Sequence, residues 1–152
     1  MNAVAKAVVI DASVALKWVF RDEEGVEQAS QLLADSVAGR LNLHAPDLLG
    51  YEWGNGLWAA LRQQRILWEE ASTAMSVFQT LNIHFHPFVE VKDRALQLAH
   101  RYQRSYYDSA YLALAQQLGV WCLTGDRRLY NALSQQLYWI RWIGDYRLES
   151  LP

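Results

Sequence analysis

Two short runs, Ala7-Val8-Val9-Ile10 and Val120-Trp121-Cys122-Leu123, offer no polar position to either side. A strand sends alternate residues to opposite faces, so an unbroken apolar run implies a strand covered on both. Such strands sit in parallel sheets sandwiched between helices. Each run is followed by an aspartate: Asp11 directly, Asp126 after Thr124-Gly125. In open parallel sheets, ligands bind beyond the carboxyl ends of the strands, where the strand order reverses. Both aspartates therefore belong at that edge.

The rest of the chain alternates in the same way. Helical spacing is expected from a Ser13 cap through Val19, over 24–38 with Val26, Ala29, Leu32, Leu33 and Val37 inward, and over 47–65. Further helices are expected over 69–81, 91–102, 108–118 and 127–137. Strands are expected at 41–45, 83–86 and 138–143, with Pro46 and Pro87 ending the first two. Gly50, Gly54 and Gly56 weaken the helix over 47–65, and their spacing suggests a second backbone packed close by. Strand and helix in alternation predict an α/β fold with a mainly parallel sheet. The chain's 152 residues are enough for a single domain spanning 1–152 with one core.

Composition narrows the classes. No apolar run approaches the ~20 residues of a spanning helix, so no membrane role is expected. The lone Cys122 cannot form an internal disulfide, which fits a reducing cytoplasm, and it reads as a buried small hydrophobe. A net charge of −2 gives no broad electrostatic footprint for nucleic acid. A polyanionic substrate would need local positive charge or bound metal. No glycine-rich phosphate loop is present.

Four acidic residues interrupt apolar surroundings: Asp11, Glu52, Asp108 and Asp126. Each alone has an ordinary reading, as a turn or cap residue for Asp11 and Asp126, a helix N-cap for Asp108, and a solvated helix position for Glu52. Together they have another. Crowded carboxylates repel at neutral pH and need a cation or a proton between them. Mg²⁺ and Mn²⁺ take oxygen ligands of this kind, and such a centre suits phosphodiester hydrolysis.

In order and spacing, "VVIDASVALKWVF", "DLLGYEWGNGLW", "YYDSAYLALAQQLGV" and "WCLTGDRRL" resemble the PIN-domain ribonucleases, above all the VapC-type toxins of toxin–antitoxin pairs. The resemblance runs from Val8 nearly to the C-terminus. It implies a three-layer α/β/α fold. It implies a Mg²⁺- or Mn²⁺-dependent endoribonuclease that leaves a 5′-phosphate and a 3′-hydroxyl. Asp11, Glu52, Asp108 and Asp126 match the family's catalytic, metal-binding quartet, while Ser13, Asn55 and Thr124 match supporting positions. A small antitoxin protein and a homodimer are the implied partners beside RNA. Lys17, Arg127 and Arg128, with Arg21 and Arg104, are the nearest basic candidates for gripping RNA. The Thr124-Gly125 turn is expected to aim Asp126 at a cation held by Asp11 and Asp108.

Other readings compete. The same fold without turnover would be an RNA- or protein-binding module. A phosphatase of the haloacid-dehalogenase kind would want a second aspartate where Ser13 stands. His84 and His86, two apart on a strand, share a face, but a zinc site needs further ligands. His44 and His100 read as isolated.

Overall fold

A computed structural model describes residues 3–152. Five strands, β1 (Lys6–Ile10), β2 (Leu41–Pro46), β3 (Ile83–His86), β4 (Trp121–Thr124) and β5 (Ile140–Trp142), form one sheet in the order β3-β2-β1-β4-β5. Every pairing is parallel, with Val8 opposite Leu43 on one side and Trp121 on the other. The chain moves outward from β1 to β3, then crosses back to β4. Right-handed crossovers therefore place the connecting helices on opposite faces before and after β3, which makes three layers. The order reverses between β1 and β4, and Asp11 and Asp126 follow those two strands.

Seven α-helices connect the strands: α1 (Ala12–Ala15), α2 (Val26–Val37), α3 (Leu48–Arg62), α4 (Trp68–Phe78), α5 (Phe88–Tyr102), α6 (Tyr106–Leu118) and α7 (Arg127–Leu133). The central one is α6. Ser109 through Ala115 are all buried, and the helix packs on β1, β2 and β4. A helix apolar all round has to be enclosed. Gly119, at φ +68°, ends it in the left-handed conformation that glycine adopts without strain. Among the described residues no helix is long and apolar enough to cross a membrane.

Several local expectations change. Ser13 does not cap the first helix. Asp11 does, its Oδ1 accepting from Val14 N at 3.1 Å, and the helix tightens into a 3₁₀ turn over Leu16–Trp18. Val37 is 82% exposed while Asp35 and Ser36 of the same turn are buried, so the inward face of α2 ends on Ser36 and leaves Val37 to solvent. The glycines of α3 meet side chains and no second backbone. A Cβ on Gly54 would touch Met75 of α4 and one on Gly56 would overlap Leu16, so these positions let neighbouring side chains sit against the helix. Helix α7 stops at Leu133, and β5 is confined to Ile140–Trp142.

One buried charge ties the C-terminal segment to the fold. Asp35 of α2, 2% exposed, accepts from Arg40 at 2.6 Å, Tyr146 Oη at 2.7 Å and Gln31 at 3.1 Å. Burial alone would push its carboxyl up, but these donors outweigh it and hold it below its ordinary value. Tyr146→Phe leaves Oδ2 without this donor. The expected cost is about 1.5–3 kcal/mol, read as a lower urea midpoint with an unchanged slope.

Candidate active site

Asp11 is the most enclosed of the four carboxylates, at 7% exposure. Both its oxygens are held by hydroxyls, Oδ1 by Ser13 Oγ and Oδ2 by Thr124 Oγ1, each at 2.5 Å. Those hydroxyls have little freedom. Ser13 Oγ accepts from Gly125 N at 2.7 Å and Thr124 Oγ1 accepts from Asp126 N at 3.0 Å. With an acceptor site filled from the backbone, each hydroxyl turns its single proton to Asp11. Two relays thus staple the end of β4 to the end of β1. Burial pushes the Asp11 carboxyl up to about 6 against the opposing pull of Ser13, Thr124 and Val14, and the charge on Asp108 adds to the rise.

Asp108 lies in the first turn of α6 and does not cap it. Ser105 is the cap, its Oγ accepting from Asp108 N at 3.0 Å. The Asp108 carboxylate is thereby left free of cap duty. Burial raises its pKa first, with Asp126 adding charge repulsion while Ser105 and Arg104 oppose. Glu52 is half-buried in α3 and accepts from Tyr111 Oη at 2.7 Å. Burial raises its pKa too, with Asp108 contributing. Asp108 is thus the shared neighbour, sensed electrostatically by Asp11 and Glu52 and itself sensing Asp126.

Asp126 is exposed and does serve as a cap, Oδ1 accepting from Arg128 N at 2.9 Å and Leu129 N at 3.2 Å. Among the described residues no three His, Cys, Asp or Glu side chains gather tightly enough to share one ion. The four carboxylates face one region without meeting at a point.

Gly125 has a different role from the one its turn suggested, since its φ is negative-side and ordinary. A Cβ there would come within 2.5 Å of Lys17 Cε and 3.1 Å of Ser13 O. Glycine is needed because the backbone of α1 at Ser13 and the Lys17 stem approach the loop so closely. Gly125→Ala is expected to cost about 1–3 kcal/mol and to weaken divalent-cation binding by displacing the Gly125 N–Ser13 Oγ contact. Thermal melts with and without metal check both.

The basic candidates separate. Lys17 is buried at 3% exposure with Glu23 Oε1 at 3.4 Å, so it is no surface grip for phosphate. Arg127 is engaged too, with Glu24 at 2.6 Å and the Trp142 ring 3.8 Å beneath its guanidinium. Arg128, Arg104 and Arg21 are exposed, Arg21 donating to Ser30. Asn55 is exposed one turn beyond Glu52 and joins none of the hydrogen bonds around the carboxylates. Tyr111 went unread in the sequence, hidden in an apolar helix. Its signal was its spacing, three residues after Asp108 and so on the same face.

The PIN domain family profile matches residues 8–132. The chain belongs to the PIN-domain family. Ribonuclease VapC3 of Pyrobaculum aerophilum is 36% identical over 126 residues, covering 80% of this chain and 91% of that protein. The fold of this PIN-domain protein is similar to that of PAE2754 from Pyrobaculum aerophilum, with a TM-score of 0.63, 21% identity and 93% of each chain covered. It is also similar to a chain in a toxin–antitoxin complex from Klebsiella pneumoniae, with a TM-score of 0.55, 16% identity, and 83% and 92% covered. PIN-domain ribonucleases in general need divalent metal ions.

Proposed function

We propose that this PIN-domain protein is a divalent-metal-dependent endoribonuclease, acting as one domain over 1–152, and the toxin of a toxin–antitoxin pair in the cytoplasm. The observation that carries the reading is that Asp11 and Asp126 follow β1 and β4, between which the strand order reverses, and that Asp108 is close enough to raise the proton affinity of Asp11 and Glu52. The likeness to a protein named as a ribonuclease supports it.

The donor set fits a hard cation. All four groups offer carboxylate oxygen, and the three with raised pKa values are those that gain most from a neighbouring positive charge. Asp11, Glu52, Asp108 and Asp126 would hold Mg²⁺ or Mn²⁺, some of them through water, since no three of these side chains stand close enough to ligate one ion directly. When bound, such an ion supplies hydroxide at neutral pH and neutralises charge developing on the phosphate. The chain's own residues prepare the place. Ser13 and Thr124 fix both oxygens of Asp11, so its orientation needs no rearrangement. Tyr111 holds Glu52 through one oxygen and leaves the other for a ligand. Arg104 and Arg128 offer exposed positive charge for the flanking phosphates, and the products are a 5′-phosphate and a 3′-hydroxyl.

The antitoxin proposal has support from an apolar groove of about 520 Å³ lined by Trp18, Val19, Leu33, Trp53, Ala74 and Val77. The buried Trp53 Nε1 there has no acceptor. A homodimer is part of the same proposal, supported by exposed Phe88, Val89 and Tyr107.

The test is cleavage of a structured RNA by purified protein with Mg²⁺ or Mn²⁺ against EDTA. Cleavage only with metal, giving 5′-phosphate ends, is expected. Metal and RNA binding without cleavage would turn the reading into a binding module.

A further inference from the structure

Helix α3 turns Tyr51, Asn55, Trp58 and Arg62 to solvent, and every other residue in it is buried or half-buried. Residues three and four apart share a helix face, so these side chains form one line. The line starts at the carboxylate site, since Tyr51 precedes Glu52 and Asn55 follows it by one turn. It holds two flat rings, an amide and a guanidinium, and no acid or aliphatic group. Arg62 enters none of the ion pairs among the described residues. Arg65, by contrast, is held by Asp22 at 3.3 Å and lies over the Phe20 ring.

A slot opens beside the line where α3 meets α4. Its volume is about 270 Å³, with Trp58 and Leu61 on one side and Trp68, Ser72 and Met75 on the other. Both indoles are far out in water, Trp58 at 58% exposure and Trp68 at 69%. Neither stacks on another ring among the described residues. Gly54 keeps the slot open at its inner end, where a Cβ would press on Met75 Cε at 3.3 Å. The acids Glu69 and Glu70 line the separate groove assigned above to the antitoxin, so they do not repel a phosphate chain here.

We propose that this line is a track for single-stranded RNA running from the carboxylate site, with one nucleobase seated in the Trp58–Trp68 slot. The inference rests on the nuclease reading for the other end of the strand. Each group on the track has a task that RNA supplies. Aromatic faces stack on bases of any identity, and a guanidinium serves the phosphate chain. Asn55 and the Ser72 hydroxyl are placed to hydrogen-bond base edges. Trp58 is six residues beyond Glu52, ~9 Å along the axis at ~1.5 Å per residue. At ~3.4 Å per stacked base, that places the slot about two to three nucleotides from the site of cleavage. A chain of net charge −2 lacks a broad basic surface, and stacking supplies grip that charge does not.

The test is fluorescence anisotropy with a labelled adenine–cytosine strand, which cannot pair with itself, measured in EDTA so that cleavage plays no part. Wild type is expected to bind. Trp58→Ala and Trp68→Ala are each expected to weaken binding about fivefold or more, the range for loss of one stacked base, and Trp58→Phe to restore most of it. Arg62→Ala should flatten the dependence of log affinity on log salt by ~0.7, one phosphate's share. Tyr138→Ala, an exposed aromatic outside the track, should bind as wild type does. In wild type, a thiouridine placed in the strand should cross-link to the peptide carrying Trp58 or Trp68. The proposal fails if wild type does not bind, or if both tryptophan variants, checked as folded by thermal melts, bind within twofold of it. It fails equally if Trp58→Ala turns a dimer into a monomer in sedimentation without changing RNA affinity, which would make the stripe an interface between copies. Binding that needs both tryptophans, with no cleavage on adding Mn²⁺, would keep the track and overturn the nuclease reading.

Discussion

Asp108→Asn is expected to abolish metal-dependent RNA cleavage while leaving the metal-free protein at least as stable as wild type. The two halves of this result have one cause. Asp108 raises the proton affinity of Asp11 and Glu52 and is itself raised by Asp126. A carboxylate in that position is unfavourable without a cation and valuable with one. Asparagine keeps the shape, and the Ser105 cap is untouched because it bonds Asp108 through the backbone N. Losing one anionic ligand removes several kcal/mol of charge stabilisation, so the cleavage rate should fall on the order of 10³-fold. Initial rates with Mn²⁺ and a denaturant melt in EDTA measure the two effects. A variant that cleaves within tenfold of wild type would place the chemistry elsewhere; one that is inactive because it is unfolded would show in the melt.

Cleavage is expected to fall about tenfold for each pH unit below about 6, and added metal should move that limit downward. The Asp11 carboxyl titrates near 6 instead of 3.8 in the metal-free protein, chiefly because it is buried. Protons and cation compete for the same oxygens, so acid empties the site. Stability runs the other way. Between about pH 4 and 6 the native state binds the proton that the unfolded chain has released, so this group makes the metal-free protein less stable as pH rises through that window, with no further change above it. Thr124→Val removes one donor that favours the charged form, and the activity midpoint should shift upward. Rate profiles at two Mn²⁺ concentrations, with melts in EDTA, distinguish these directions. A midpoint that ignores metal concentration would remove Asp11 from cation binding.

Much of the candidate site was legible because its residues mark the ends of apolar runs. Asp11 and Asp126 stand where β1 and β4 stop, and a strand's end is visible in a sequence whose strands are covered on both faces. Glu52 and Asp108 were legible as charges inside apolar helices and through their motifs. What each side chain does was harder to read. Asp11, read as a possible cap, is both a cap and the most enclosed of the four site carboxylates. Asp108, read the same way, is no cap, since Ser105 took that place three residues earlier. Lys17 looked like a surface cation and is buried beneath Gly125.

The sequence by itself determined the alternation of elements, the all-apolar inner strands and hence a parallel α/β sheet, because these follow from periodicity along a single segment. Only the tertiary structure decided which distant groups meet: the Ser13 and Thr124 relays that join β1 to β4, Tyr111 on Glu52, Tyr146 on Asp35, and His44 against His84 and His86. Those contacts depend on strand order and register, which bring residues 42 to 113 positions apart within hydrogen-bonding reach. No local pattern encodes that, because the pairing energy is spread over the whole sheet and its covering helices.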